Sequence, residues 1–397
     1  MRPIIGGNVP PDRVVGRDNF IQKMWRTLEN QSIVLVSERR IGKTSVIRKM
    51  EKDPPQGWHP IYLVIEGVRS PTEFISNIVD AVSPILSRKG RMLGRLHRLY
   101  EEIAGQQVGN LTLPELKDHW KRLLRVTLSD IQENLDERVV FLWDELPLMI
   151  SNIKDDLGTK EAMELLDVLR DHRVADDSGK LRMVYTGSIG LHLVVSELLH
   201  RGYRNDPTND MVTYSLEGLE PDYAQELARQ GLQGLIEEGE IKLHDPLDEV
   251  TRAIAEATDG LPYYINYTVD RLAEIGHPVK TTDVAEAVDS LILDPEDQAH
   301  FGHYAERIEA YYLFHKQAED LAYTILDTLC RTGQPMTEEA IWDAAVTQME
   351  LTSRNLFQKT LAMLVKDHYL QRNDQGGERA YQFKYGIIRK WWFKNRG

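Results

Sequence analysis

The chain has 397 residues, 42% hydrophobic and 28% charged, enough for two or three domains with sizeable cores and too apolar for a disordered chain. Its net charge of −14 and pI near 5.4 repel nucleic acid and anionic membrane on average, so contact with either needs a local basic patch. A single cysteine, Cys330, excludes an intramolecular disulfide and a cysteine-rich metal site and reads as a core residue at a helix end.

Asp18–Glu29 has helical periodicity and is followed by the β-branched run Ser32–Val36. That strand opens into Ser37-Glu38-Arg39-Arg40-Ile41-Gly42-Lys43-Thr44-Ser45, with a helix over Lys43–Lys52. A strand, a tight loop and Gly-Lys-Thr-Ser at a helix start make a phosphate cradle. Backbone N–H groups aim at anionic oxygens, Lys43 adds a mobile cation for the β/γ-phosphates, and the Thr44 hydroxyl sits on Mg²⁺. The pattern G-x-x-x-x-G-K-[ST] asks for glycine where Ser37 stands. Serine leaves the strand with some strain. A nucleoside triphosphate is the expected ligand, against a plain β-turn-α connection.

Four more short apolar runs follow, Ile61–Ile65, Val139–Trp143, Leu181–Thr186 and Met211–Leu216, separated by helical patterns at Pro71–Leu86, Leu116–Leu135 and Lys160–Val174. Continuous apolar runs alternating with helices predict a parallel sheet covered on both faces. The turn-rich Asn205–Asp210 leads into the last run. The run Val139–Trp143 ends in Asp144-Glu145, about 100 residues after the phosphate loop. A buried strand there places Asp144 beside the metal held by Thr44 and puts Glu145 where it orients or deprotonates the attacking water. The bland alternative is a strand ending in exposed acids. The fourth run ends in Thr186-Gly187-Ser188, where Thr186 or Ser188 reads as a sensor of the γ-phosphate or the water, or as part of a glycine turn.

After Leu219 the strands stop. Pro221–Gly231, Pro246–Asp259, Pro262–Ile275 and Thr282–Leu293 read as amphipathic helices, with Gly260-Leu261-Pro262 dividing two of them. Beyond residue 296, helices at Gln317–Arg331, Thr337–Val346 and Thr352–His368 precede a strand-turn-strand over Tyr369–Arg372, Asn373–Gly377 and Glu378–Lys384. That is a winged-helix pattern. The expected division is a P-loop core over 1–217, a helical lid over 218–295 and a winged-helix domain over 296–397. The N-terminal residues hold no long apolar stretch, and no run approaches the ~20 residues of a membrane helix. A cytoplasmic protein with no membrane contact is expected.

Taken together the chain resembles the STAND-type AAA+ ATPases, in particular the archaeal-ATPase-like family. Pro10–Asp18, with Val15-Gly16-Arg17, is similar to the family's opening motif, and Arg39–Ser45 to its phosphate loop with paired arginines. Trp143-Asp144-Glu145 fits the acidic strand end and Thr186-Gly187-Ser188 the sensor. Leu216-Glu217-Gly218-Leu219 with Ala224 and Leu227 resembles the lid entrance, Gly260-Leu261-Pro262 the lid's Gly-x-Pro, and Tyr385–Trp392 the closing segment of the winged helix. The resemblance implies ATP and Mg²⁺. Lys43 would bind phosphate with Arg39, Arg40, Ile41, Gly42, Thr44 and Ser45 around it. Thr44 and Asp144 would hold Mg²⁺, and Glu145 would be the base. Val15, Gly16 and Arg17 would line the adenine side, closed by Pro262. No residue is marked as an arginine finger. Arg39 and Arg40 face phosphate, a partner or solvent, and Arg170 and His172 are weaker candidates.

The basic residues are local: Arg88, Lys89, Arg91, Arg95 and Arg98 in one stretch, and Lys384, Arg389, Lys390, Lys394 and Arg396 around Trp391, Trp392 and Phe393 at the end. Such mixtures track phosphates and stack bases, although a tryptophan pair in a core with solvated charges around it is the favoured reading. Arg354, Lys359 and Lys366 are spread thinly along the candidate recognition helix. Three functions fit: an ATP/ADP switch controlling self-association or a protein partner, a DNA-binding ATPase, and a nucleotide-binding scaffold without hydrolysis.

Overall fold

The computed structural model describes residues 2–7, 9–88, 119–312, 316–375 and 378–396. The chain divides into two compact units. The first, the sheet unit, holds Pro10–Val36 and Lys43–Ser215. The second holds Met1–Val9, Ser37–Gly42 and Leu216–Gly397, so the loop after the first strand belongs by its packing with the C-terminal half.

The sheet unit is built on five parallel strands, β1 (Ile33–Val36), β2 (Trp58–Val64), β3 (Arg138–Asp144), β4 (Leu181–Tyr185) and β5 (Val212–Ser215), in the order β2-β3-β4-β1-β5. Its helices are α1 (Asp18–Leu28), α2 (Lys43–Lys52), α3 (Pro71–Arg88), α4 (Trp120–Asn134), α5 (Leu146–Leu157), α6 (Thr159–Ala175) and α7 (Leu191–His200). β3 is buried from Val139 to Asp144 and β4 along its whole length, as continuous apolar runs require in a sheet covered on both faces. Trp143 stacks on Phe141 and Tyr185 at 5.3 and 5.7 Å and takes the edge of Phe74 at 5.0 Å, an aromatic cluster that fixes the end of β3.

The strand order puts β4 between the phosphate-loop strand β1 and the acidic strand β3. Register brings their ends level: Val64 is opposite Asp144 and Trp143 opposite Tyr185. Just past the ladder, Thr186 N donates to Trp143 O at 3.1 Å and Leu146 N to Thr186 O at 3.1 Å. β2 starts three residues earlier than its sequence suggests, at Trp58, and runs through Pro60. Proline is admitted because β2 ends the sheet and pairs only with β3 among the described residues. α5 and α7 were not expected. Pro147 sits in the first turn of α5, where its missing N–H costs nothing. The apolar run of α7 carries no period that separates helix from strand.

In the second unit, α8 (Pro221–Glu237), α9 (Leu247–Ala257), α10 (Pro262–Ala273) and α11 (Asp283–Ile292) close around a core that includes Ala228, Leu232, Ile254, Ile265 and Val269. Gly218 and Gly260 meet there. Leu219 N donates to Gly260 O at 2.8 Å, Gly260 has φ +67°, and a Cβ on it would stand 2.4 Å from Leu219 O. Only glycine fits. Next come α12 (His303–Tyr311), α13 (Ala318–Thr332), β6 (Met336–Thr337), α14 (Glu338–Met349), α15 (Arg354–Lys366), β7 (Leu370–Gln375), β8 (Glu378–Phe383) and α16 (Gly386–Arg396). The three strands form an antiparallel sheet in the order β6-β8-β7, the element order of a winged helix. Thr337 and Ser353 cap α14 and α15, their hydroxyls accepting from Ala340 N and Leu356 N.

Candidate functional site

Within the sheet unit, α2 begins with Lys43 and Thr44 while β3 ends with Asp144, and the fold brings the two ends together. The Thr44 hydroxyl donates to Asp144 Oδ2 at 2.9 Å across 100 residues of sequence. Asp144 is 4% exposed and Lys43 is buried. The same Asp144 oxygen accepts the Tyr62 hydroxyl at 3.1 Å. Arg48, one turn along α2 from Thr44, lies over the Tyr62 ring at 4.5 Å and is itself paired with Glu51 at 2.8 Å. Burial and the Asp144 carboxylate push the Tyr62 phenol upward, so it stays a donor.

Glu145 follows directly and caps the start of α5 with φ 65° and ψ 31°, a left-handed backbone that a non-glycine residue adopts at a cost. Its carboxylate accepts Ser188 N at 2.9 and 2.8 Å and the Ser188 hydroxyl at 2.8 Å. Burial pushes the Glu145 carboxyl up. The two Ser188 donors draw it back, Asp144 raises it again and Lys43 lowers it, and the balance is upward. Gly187 leaves room for this arrangement: a Cβ on it would meet Pro147 Cδ at 2.8 Å and Glu145 Oε2 at 3.1 Å. Thr186 is 2% exposed, and its hydroxyl finds no hydrogen-bond partner among the described residues.

The other sequence-predicted residues are placed as follows. In the sheet unit, Val15 and Gly16 are half-buried, Arg17 is buried at the start of α1, and Ser45 is half-buried in α2. In the second unit, Ser37 and Ile41 are buried, Arg39 is exposed, and Arg40 and Gly42 take left-handed φ of 64° and 101°. The Arg40 guanidinium lies 4.3 Å over the ring of Tyr263, the neighbour of Pro262 at the start of α10. Arg170 donates to Asn209 Oδ1 at 3.0 Å, and burial lowers His172.

The cations of the C-terminus are engaged within the unit. Lys390 and Lys394 both pair with Asp289 of α11 at 2.6 and 2.7 Å, Lys384 with Glu217 at 2.7 Å, and Arg396 stacks over Tyr323 at 3.9 Å. Trp391 and Trp392 are buried, with Trp392 Nε1 donating to Asp327 at 2.6 Å. Arg354 is spoken for by Glu338 and Glu339. Lys89, Arg91, Arg95 and Arg98 lie outside the described residues, as does the side chain of Arg88.

Sequence reasoning missed Tyr62, Arg48 and Ser188's hold on Glu145. Tyr62 lies in an ordinary strand, and only strand order shows that its neighbour is β3.

The donor set suits a hard divalent ion. Mg²⁺ is held by one or two protein oxygens, with phosphates and water completing the octahedron. A hydroxyl and a carboxylate side by side supply the protein's share. Among the described residues no cluster of three or more His, Cys, Asp or Glu side chains is assembled, and such a site needs none.

No protein-family model and no curated protein matches the chain. Among solved structures, it is similar to a Walker-type ATPase of Pyrococcus abyssi at TM-score 0.63 and 16% identity, over 98% of both chains. Looser likenesses, too loose to argue from, run to the ORC2 protein of Aeropyrum pernix in ADPNP-ADP complexes (TM-score 0.49, 11% identity, 98% of this chain and 94% of that one) and to a signal transduction ATPase with numerous domains and a tetratricopeptide-repeat sensor from Pyrococcus horikoshii (TM-score 0.35, 14% identity, 98% and 43%). With the sheet order, the Gly-Lys-Thr helix start and the acidic end of β3, the likeness to the first of these gives the fold: an AAA+-like P-loop core followed by a helical region and a C-terminal winged-helix arrangement.

Proposed function

We propose that this chain binds ATP with Mg²⁺, hydrolyses it, and acts as a STAND-type switch whose nucleotide state controls self-association or the binding of a protein partner. The observation that carries the reading is the 2.9 Å bond between Thr44 and Asp144, which joins the two motifs in one place. Lys43 is the phosphate ligand, and Thr44 and Asp144 are the metal's protein ligands. The metal, when bound, neutralises charge on the β- and γ-phosphates. Glu145 takes the proton of the attacking water, and Ser188 holds its carboxylate until that water is in place. Thr186, a buried hydroxyl whose hydrogen bond is unmade among the described residues, has a donor to offer the γ-phosphate, which supports the sensor role.

The switch rests on the sequence resemblance and on the placement of a helical region and winged helix after an ATPase core. A DNA-binding ATPase is the weaker reading, because Arg354, Lys384, Lys390 and Lys394, four of the cations it would use, are paired with Glu338, Glu339, Glu217 and Asp289.

Thermal melting with and without Mg-ATP tests the site. A ligand that binds only the folded protein stabilises it by RT ln(1 + [L]/Kd), about 2.7 kcal/mol at a hundredfold excess over Kd. The wild type melts higher with Mg-ATP, and Lys43→Ala removes the rise. An undiminished rise in the variant places the nucleotide elsewhere. Glu145→Gln keeps the rise and abolishes phosphate release, and phosphate release at the wild-type rate in this variant contradicts the base assignment.

A further inference from the structure

The loop Ser37–Gly42 carries an acid of its own. Glu38 is 1% exposed, and its Oε1 accepts Arg39 N at 2.9 Å and Arg307 Nη1 at 2.8 Å. Arg307, on α12, is bonded through Nη2 to Asp367 at the end of α15. His303 Nε2 lies 3.8 Å from the same Glu38 oxygen. All five residues belong to the second unit. Burial pushes the Glu38 carboxyl up, but Arg307 and His303 bring it down to about 2, so it is an anion under all working conditions.

Neither stability nor loop geometry asks for this. A buried ion pair rarely holds a fold better than apolar residues of the same volume, and two acids sharing one arginine cost more to bury than one. A carboxylate within a loop whose amides attract phosphate also works against the ligand. These observations fit together if the arginine manages the loop's charge.

We propose that Arg307 is a positioning residue for the phosphate loop: by pairing with Glu38 it holds the loop's one carboxylate buried and offsets its charge in part, so that Arg39 and Arg40 dominate the field of the loop and the loop accepts a polyphosphate. This rests on the nucleotide reading above. It predicts that Arg307 matters to nucleotide binding only while Glu38 is charged, and in proportion to the charge of the ligand.

Titration calorimetry with ATP, ADP, AMP and adenosine tests it on the full chain. In Arg307→Gln, Glu38 is left charged and without its arginine, and the cluster gains one net negative charge. ATP should bind about tenfold or more weakly, ADP less so, and adenosine as before, because the Coulomb energy scales with ligand charge. Adding Glu38→Gln to that variant should return ATP affinity to within about twofold of the wild type, the sign of direct coupling between the two sites. Equal weakening for all ligands, or no recovery on adding Glu38→Gln, overturns the proposal. Glu38→Gln alone keeps the Arg307–Asp367 pair and serves where Arg307→Gln does not fold. With one negative charge fewer it should bind ATP at least as tightly as the wild type and adenosine as before, and a loss of ATP binding there overturns the proposal by showing that the carboxylate itself serves the ligand. A wild type that takes up no nucleotide at all overturns the ATPase reading, and this inference with it.

Discussion

At Glu145 two demands meet in one side chain. As the proposed base it must be ionised, yet burial favours its neutral form, and the Ser188 N–H and hydroxyl supply what keeps the charge tolerable. The hydrolysis rate should therefore rise with pH on an acid limb set above the ordinary carboxylate range, since only the deprotonated form accepts the water's proton. Ser188→Ala removes the hydroxyl donor and keeps the backbone one. The limb should move to higher pH, because a donor that favours the charged form is lost. A limb that stays put in a pH–rate profile removes Ser188 from this role. Tyr62 gives a second residue-scale expectation. Tyr62→Phe leaves Asp144 with the Thr44 donor alone and the ring stack on Arg48 intact. The Mg²⁺ concentration giving half-maximal rate should rise about tenfold, within the range seen when a residue that orients a metal ligand is lost, while metal-free nucleotide affinity stays unchanged. The roles of Lys43, Thr44, Asp144 and Glu145 could be proposed from sequence because covalent spacing announces them. Tyr62 could not, because its meaning comes only from the hydroxyl it turns toward a neighbouring strand.

At the scale of elements, apolar period and punctuation carried most of the reading. All five sheet strands and the four helices from Pro221 to Ile292 lie where runs and Gly-Pro breaks put them, with ends shifted by a few residues. The two misses have different causes. The run of α7 is too apolar for its period to separate helix from strand, whereas Leu146, Met149, Ile150 and Ile153 of α5 do follow a helical period, masked by a proline that starts a helix in its first turn as readily as it breaks one further in. The strand order was not legible at all, since it depends on which helix crosses which face. The α11–α16 contact allows a test. Burial raises the Asp289 carboxyl, but the bonds to Lys390 and Lys394 outweigh it and hold it low. A carboxyl lowered on folding stabilises above its unfolded value, and that share is lost as pH falls through its folded value. Lys390→Ala/Lys394→Ala should therefore melt lower than wild type at neutral pH, with the difference closing as pH drops below the usual carboxylate range. A constant difference at all pH values argues against the pairs.

For the whole molecule, the proposed switch makes one demand: Mg-ATP and Mg-ADP forms must differ in mass or in radius of gyration. Small-angle scattering on Glu145→Gln, which holds ATP unhydrolysed, against wild type with ADP should show that difference, and superimposable curves leave an ATPase without a conformational output. A means of producing such an output would lie at the end of β3. Glu145 is at once the acid next to Asp144, the proposed metal ligand, and the residue from which α5 starts, and α5 is a rod of 12 residues, about 18 Å long. Its left-handed backbone is one a non-glycine residue holds at a cost. Were the carboxylate to leave Ser188 for a water molecule, even a few degrees of rotation at that pivot would be magnified along the rod, to be felt at its far tip near Leu157 as a displacement of an ångström or more.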